Sequence, residues 1–175
     1  MNRKDTTKFL SNLLVSRRFS GIGKYYASEV TFDYGKGKGK QKRVDFMQFV
    51  PENQMCIAGI EKGIFICYEI KSCKADFKSG CGLNFEGDQN YIVTTMEVYK
   101  ELINEIPYGV GVMVSCPDHI NPADEFREPT PIDNEDVIWN LKIIRHNIPA
   151  QRNRSMAEML FCMLRAGKGG TRMKQ

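Results

Sequence analysis

The chain has 175 residues, 42% of them hydrophobic and 26% charged, with a net charge of +4. That composition suits one globular domain able to bury a core, and it excludes a disordered or low-complexity chain. No apolar run approaches the roughly 18 residues of a membrane-spanning helix, and MNRKDTTKFLSNLL lacks the features of a secretory signal. The expected location is therefore cytoplasmic, with no membrane partner and with the six cysteines as reduced thiols.

In DTTKFLSNLLVSRRF, Phe9, Leu10, Leu13 and Leu14 recur at helical spacing, with Asp5 or Thr6 available as an N-cap. Gly21 and Gly23 stop that helix. YYASEVTFDYG then alternates as a strand, with Tyr26, Ser28, Val30, Phe32 and Tyr34 on one face and Ala27, Glu29, Thr31 and Asp33 on the other. GKGKGKQKR (35–43) forms a hairpin loop, and RVDFMQFV (43–50) returns as a second strand, broken by Pro51 and Asn53. Residues 54–63 read as a short excursion before the third strand, GIFICYEIKS. KADFKSGCGLNF is a short helix or a structured loop, weakened as a helix by Gly80 and Gly82.

QNYIVTT is the fourth strand. MEVYKELINEI is a helix with Val98, Leu102 and Ile106 at four-residue spacing and Thr95 as its cap, and GVGVMVS is the fifth strand. Pro117, Pro122, Pro129 and Pro131 mark a long irregular connection. SMAEMLFCMLRAGKGG closes the chain as a helix with a capping box, Ser155 and Glu158, and with Met156, Met159, Leu160 and Met163 as core positions.

The chemistry concentrates on the second and third strands. Phe65, Ile66, Cys67 and Tyr68 lead into a core, and Glu69 and Lys71 then project from one face, because strand residues two apart share a side. Asp45 lies near the start of the second strand, where hairpin-like pairing brings it beside Glu69. Two close carboxylates repel unless a cation lies between them, and oxygen-only ligation suits Mg²⁺ or Mn²⁺. A lysine on the same face can orient water and stabilise charge growing on a phosphate. The plain alternative is a Glu69–Lys71 ion pair at a sheet edge, contributing at most about 1 kcal/mol. An exposed pair needs no apolar lead-in, which favours the metal-assisted reading.

With RVDF on the second strand and CYEIKSCKADF on the third, the order helix, three strands, helical segment, strand resembles the PD-(D/E)XK nuclease superfamily. Together with NYIVTT and IPYGVGVMV, residues from about 5 to 115 are similar to the MmcB-type group of DNA-repair-associated proteins. They also resemble proteins carried by phages and mobile elements of Gram-positive bacteria. The resemblance implies an α/β fold with a restriction-endonuclease-like core. Its mixed sheet comprises a three-strand meander, a helical segment and a further strand, flanked by helices. One domain would span residues 1–175, with the irregular connection and last helix in 116–175. The resemblance further implies a Mg²⁺- or Mn²⁺-dependent deoxyribonuclease with Asp45, Glu69 and Lys71 as catalytic residues. Asp45 and Glu69 would hold the metal, Ile70 would offer its backbone carbonyl, and Lys71 would assist the water. Many members add an acid from the first helix; here that helix has none after Asp5, and Glu29 on the first strand is the substitute candidate.

The hairpin stretch 35–43 carries five cations and no acid, so Lys36, Lys38, Lys40, Lys42 and Arg43 suit phosphate contacts with DNA. A solvated hairpin tip is the plain alternative. The tail adds Lys168, Arg172 and Lys174. Arg17 and Arg18 could meet phosphate or serve the helix dipole. Asp76 and Lys78 read as a solvated turn, and Asp88, Gln89 and Asn90 as site lining or a turn. Cys73, Cys81, Cys116 and His119 form a zinc set at loose spacing, unsupported by any C-x-x-C pair. Neither His119 nor His146 has a partner pattern for acid–base work. The expected function is DNA hydrolysis; a homodimer is one assembly open to the chain, and the sequence does not fix the oligomeric state. The alternatives are a non-catalytic nucleic-acid- or protein-binding module of the same fold, or a phage-encoded inhibitor of a host enzyme.

Overall fold

A computed structural model describes residues 2–33 and 41–169, with 168 and 169 given by their backbone alone. Six strands lie in one sheet in sequence order: β1 (Tyr25–Phe32), β2 (Lys42–Val50), β3 (Ile64–Lys71), β4 (Gln89–Thr95), β5 (Gly111–Pro117) and β6 (Trp139–Arg145). The first three pair antiparallel, β3, β4 and β5 run parallel, and β6 returns antiparallel to β5. Parallel neighbours need a crossover. The connection holding α3 (Lys74–Lys78) supplies one, and that holding α4 (Met96–Leu102) supplies the other.

Alternate residues of the central strands divide between two sides, as a period of two requires. On one side Leu10, Leu13 and Leu14 of α1 (Arg3–Leu14) cluster with Tyr68, Ile70, Tyr91, Val93 and Met113. On the other, Met159, Cys162 and Met163 of α6 (Met156–Gly169) cluster with Phe65, Cys67, Met47 and Phe49. Phe77, Met96 and Leu102 cluster there with Ile92, Val112 and Val114. Burial on both sides accounts for the nearly unbroken apolar run in β5. Glu69 and Lys71 continue the side of Phe65 and Cys67.

Several local expectations are corrected. Helix α1 is capped by Asn2, whose side chain accepts from the Asp5 amide at 3.0 Å, rather than by Asp5 or Thr6. Asn2 is the residue still extended, so its side chain reaches the free amides. Beyond Leu14 the chain widens into a π turn, Val15–Phe19, that buries Phe19. In β1 the single alternation fails: Ala27 is buried along with Val30 and Phe32, while Tyr26 is exposed. The cause is Glu29, whose φ of 54° lies in the left-handed region and turns the following side chains about the strand.

Residues 54–63 contain the short helix α2 (Ile57–Glu61). Helix α4 ends at Leu102, earlier than the apolar spacing predicts, although Thr95 caps it as expected. The connection after Pro117 is not irregular throughout. It contains α5 (Pro122–Arg127), with Asn121 as N-cap and proline at the first turn, and then β6. The final helix makes only the forward half of its capping box: Ser155 Oγ accepts from the Glu158 amide at 3.2 Å, while the Glu158 carboxylate binds Arg154 instead.

Arg154 ties the segment before α6 to the end of β1 and to Glu86. Its guanidinium lies 2.7 Å from Asp33, 2.8 Å from Glu86 and 2.5 Å from Glu158, and stands over the Phe32 ring at 4.7 Å. Asp33 and Glu86 are largely buried, so removing the guanidinium takes a charged partner from two buried acids at once, although Lys42 still reaches Glu86. Arg154→Ala is expected to cost about 3–5 kcal/mol in urea unfolding. Arg127→Ala, which breaks an exposed pair with Asp124, should stay within about 0.5 kcal/mol.

Candidate functional site

The β2–β3 ladder closes at Phe46 opposite Tyr68, although β2 begins at Lys42 and β3 continues to Lys71. The strands part beyond that rung, and a cleft of about 530 Å³ occupies the fork. Its walls carry Glu29, Arg43, Asp45, Glu69, Ile70 and Lys71, with Arg3 and Asp76 at one side and the Gly80–Asn84 loop at another.

Register explains why these groups meet. Extending the ladder by one residue sets Asp45 level with Glu69. The pairs Ser28 with Phe46 and Val30 with Val44 set Glu29 level with Asp45. Three carboxylates therefore form a row across three strands. Two residues further along, Arg43 and Lys71 form a parallel row of cations. Side chains satisfy backbone groups in the fork: Asp45 Oδ2 accepts from the Ile70 amide at 2.8 Å, and Asn84 donates to the Arg43 carbonyl at 2.9 Å.

Glu69 is 2% exposed, and neither of its carboxyl oxygens has a hydrogen-bond partner among the described residues. Burial, and next the charge of Asp45, push its pKa up to about 9, against the lowering influence of Lys71. As two ionised carboxylates the pair can form no bond; a proton or a cation between them would join both. Lys71 is also buried, and its ammonium donates to the Cys81 carbonyl at 2.5 Å.

That carbonyl is positioned by glycines. Gly80 and Gly82 have φ of +70° and +77°, and a Cβ on Gly82 would overlap Oε2 of Glu69. Only glycine lets this backbone lie against the carboxylate. The pair that weakens the segment as a helix thus builds one wall of the cleft, a role that glycine spacing in the sequence does not announce.

The other candidates divide. Glu29 lines the cleft but is exposed and ion-paired to Arg43 at 2.9 Å. Lys42 reaches Glu86 at 2.5 Å, and Lys36, Lys38 and Lys40 lie outside the described residues. Arg17 donates twice to the Trp139 carbonyl, a structural contact. Asp88 is held by Arg152 and by the Phe65 amide, away from the cleft. Asp76 is not in a solvated turn: it sits in the first turn of α3 with its side chain 14% exposed, bound by Arg3 at 2.6 Å. Lys78 is exposed, as expected, beside Glu105. Arg3 and Asp76 are silent in the sequence because their contact spans 73 residues.

Among the described residues, no group of three or more His, Cys, Asp or Glu side chains is gathered closely enough to hold a metal, the zinc set included. All six cysteines are free thiols.

Fold and cleft together define an α/β protein with a six-stranded mixed sheet flanked by helices. No family model and no curated protein matches the chain. A similar solved structure is the SPO1766 protein of unknown function from Silicibacter pomeroyi, 16% identical, with a TM-score of 0.55 over 95% of this chain and 87% of that one. At that identity the likeness speaks for the fold alone. No helix among the described residues is long and apolar enough to cross a membrane.

The buried acid sets a pH dependence. Glu69 holds its proton up to about 9 in the folded state, against an ordinary value of 4.5, so the folded protein binds the extra proton between those limits. Stability then falls as pH rises through that window, by at most about 1.4 kcal/mol per pH unit. Glu69→Gln removes the slope. Without divalent ions it should melt higher than wild type at pH 8 and close to it at pH 4. Parallel melting profiles from pH 4 to 9 would contradict this account.

Proposed function

We propose that the chain is a metal-dependent nuclease that hydrolyses DNA phosphodiester bonds, with the restriction-endonuclease-like core of the PD-(D/E)XK superfamily. Glu69 carries the reading: a buried carboxyl level with Asp45, with both oxygens unbonded, in a cleft flanked by cations. Two such acids ionise together only with a cation between them, and an oxygen-only set favours Mg²⁺ or Mn²⁺. Asp45, Glu69 and the Ile70 carbonyl would hold that ion. When bound, it would supply Lewis-acid stabilisation of the phosphate under attack.

Lys71 is anchored by the Cys81 carbonyl on the side of Glu69. From there it stabilises negative charge growing on the phosphate and orients the attacking water. Arg43, paired only at the surface, can exchange Glu29 for a DNA phosphate, which would release Glu29 toward the metal. In the sequence, Lys36, Lys38, Lys40 and Lys42 directly precede Arg43 and supply further cations for the same partner. They contact the backbone of DNA and do not read bases.

Cleavage of plasmid and single-stranded DNA in Mn²⁺ tests the reading. Wild type should cut, and Lys71→Ala should cut about a hundredfold more slowly while keeping metal binding. Glu69→Gln should lose metal and cleavage together. Full-rate cleavage by Lys71→Ala would place the site elsewhere.

One observation favours a second reading, a non-catalytic binding module. Lys71 and Glu29 already have protein partners. Wild type that binds DNA but cuts no substrate would establish it.

Neutralising Lys36, Lys38, Lys40 and Lys42 should weaken DNA binding across sequences. The salt slope should become shallower by roughly 0.9 for each phosphate no longer neutralised. An unchanged slope would assign the loop to solubility alone.

A further inference from the structure

Helix α6 is apolar on more sides than its place in the fold requires. Met159, Cys162 and Met163 cluster with Phe49, Phe65 and Cys67, which accounts for one face. Yet from Met156 to Leu164 the only charged residue is Glu158. A helix at the surface should turn a polar stripe to water. Here the opposite face carries Ala157, Phe161 and Leu164, all exposed, with Phe161 63% and Leu164 68% open. Spacings of four and three put these side chains in one row.

The row continues off the helix. A groove of about 590 Å³ runs between α6 and the start of β1, lined by Tyr25, Tyr26, Phe49, Leu160, Met163 and Leu164. Tyr25 and Tyr26 are 46% and 40% exposed, and Ile22, in the loop before β1, is fully exposed. With Phe161 and Leu164, these side chains leave on the order of 700 Å² open, near the roughly 800 Å² that each partner buries in a specific interface. The largest apolar patch on a monomer is usually about 300–600 Å². Residues 170–175, GTRMKQ, hold one large apolar side chain, Met173, too little to cover this area.

The order of sizes along the row identifies the partner. Phe161 stands near its middle, with small Ala157 four residues before it and large Leu164 three after. Laid antiparallel across a two-fold axis near Phe161, two α6 helices set each Ala157 opposite Leu164 of the other copy. The two phenyl rings then meet at the axis. Parallel pairing would set Ala157 on Ala157 and leave a gap. The antiparallel sense also brings Glu158, in the first turn, toward Arg165 at the far end of the other helix. The groove beside Leu164 gives the face a furrow as well as a ridge, as a self-complementary contact needs.

We propose that this face is the interface of a two-fold homodimer, with α6 packed antiparallel on α6 of a second copy and the start of β1 at its flank. The inference stands independently of the nuclease reading.

Sedimentation velocity of the full chain from roughly 1 to 100 μM tests it. The expected result is a shift from the mass of one chain to that of two. Phe161→Glu should weaken association at least tenfold, as should Ala157→Glu and Leu164→Lys singly. The double variant Ala157→Glu/Leu164→Lys should regain the dimer at low salt, because antiparallel pairing sets each new acid against a new lysine. Melts at the lowest concentration should show each variant folded, since all three positions are exposed; if one fails to fold, the other two carry the test. The mass of a single chain throughout the range would overturn the proposal. A dimer left intact by Phe161→Glu and Leu164→Lys would lie on another face and overturn it as well. No recovery in the double variant, where both single changes abolish association, would overturn the antiparallel pairing.

Discussion

Beyond Phe46 and Tyr68, β2 and β3 cease to pair, and the chain must find other partners for the backbone it has exposed. It does so with side chains: Asp45 takes the Ile70 amide, and Asn84 takes the Arg43 carbonyl. A continued ladder would have left no room between the strands. The fork creates that room in the middle of a sheet whose register has already lined up Glu29, Asp45 and Glu69. A buried Glu69 with no hydrogen-bond partner is costly to a fold, and its cost is what makes the site chemically notable.

Helices pack on both sides of that fork. On one side α1 covers Ile70 and its neighbours; on the other, α6 and the α3–α4 segment cover the strands that flank Glu69. The Gly80–Asn84 loop closes the end, pressing backbone against one carboxyl oxygen and holding Lys71 by a carbonyl. Nothing in this arrangement relies on long side chains at the surface. The exposed ion pair of Arg43 with Glu29 stands at the rim, where partners exchange at little cost, while Arg3 reaches in to the more deeply set Asp76.

Much of this is legible in the chain. Alternation and turn residues locate β2, β3, β4 and β5, and Asp45 and Glu69 follow from antiparallel pairing of two recognisable strands. Strand β6 is hidden by four prolines upstream, although Trp139, Leu141 and Ile143 alternate with Asn140 and Lys142. Glu29 belongs to the strand its neighbours predict. A left-handed residue in mid-strand leaves no compositional mark, however, so simple alternation gives the wrong sense after it. Ion pairs are the least legible. Lys42 with Glu86, Arg3 with Asp76 and Arg154 with Asp33 join distant segments, and charge patterning along a chain carries no signal of such pairs.

The sheet has the same order in space as in sequence, so each strand emerging from a ribosome finds its neighbour already made. Such vectorial assembly needs few long loops to close and avoids much of the delay of distant pairing. Arg154 breaks the pattern, for its bond to Asp33 spans 121 residues. The first hairpin therefore receives its locking charge only after 121 further residues have been synthesised. Until then Asp33 and Glu86 lack that cation, and the nascent domain is at its most exposed to proteases and chaperones.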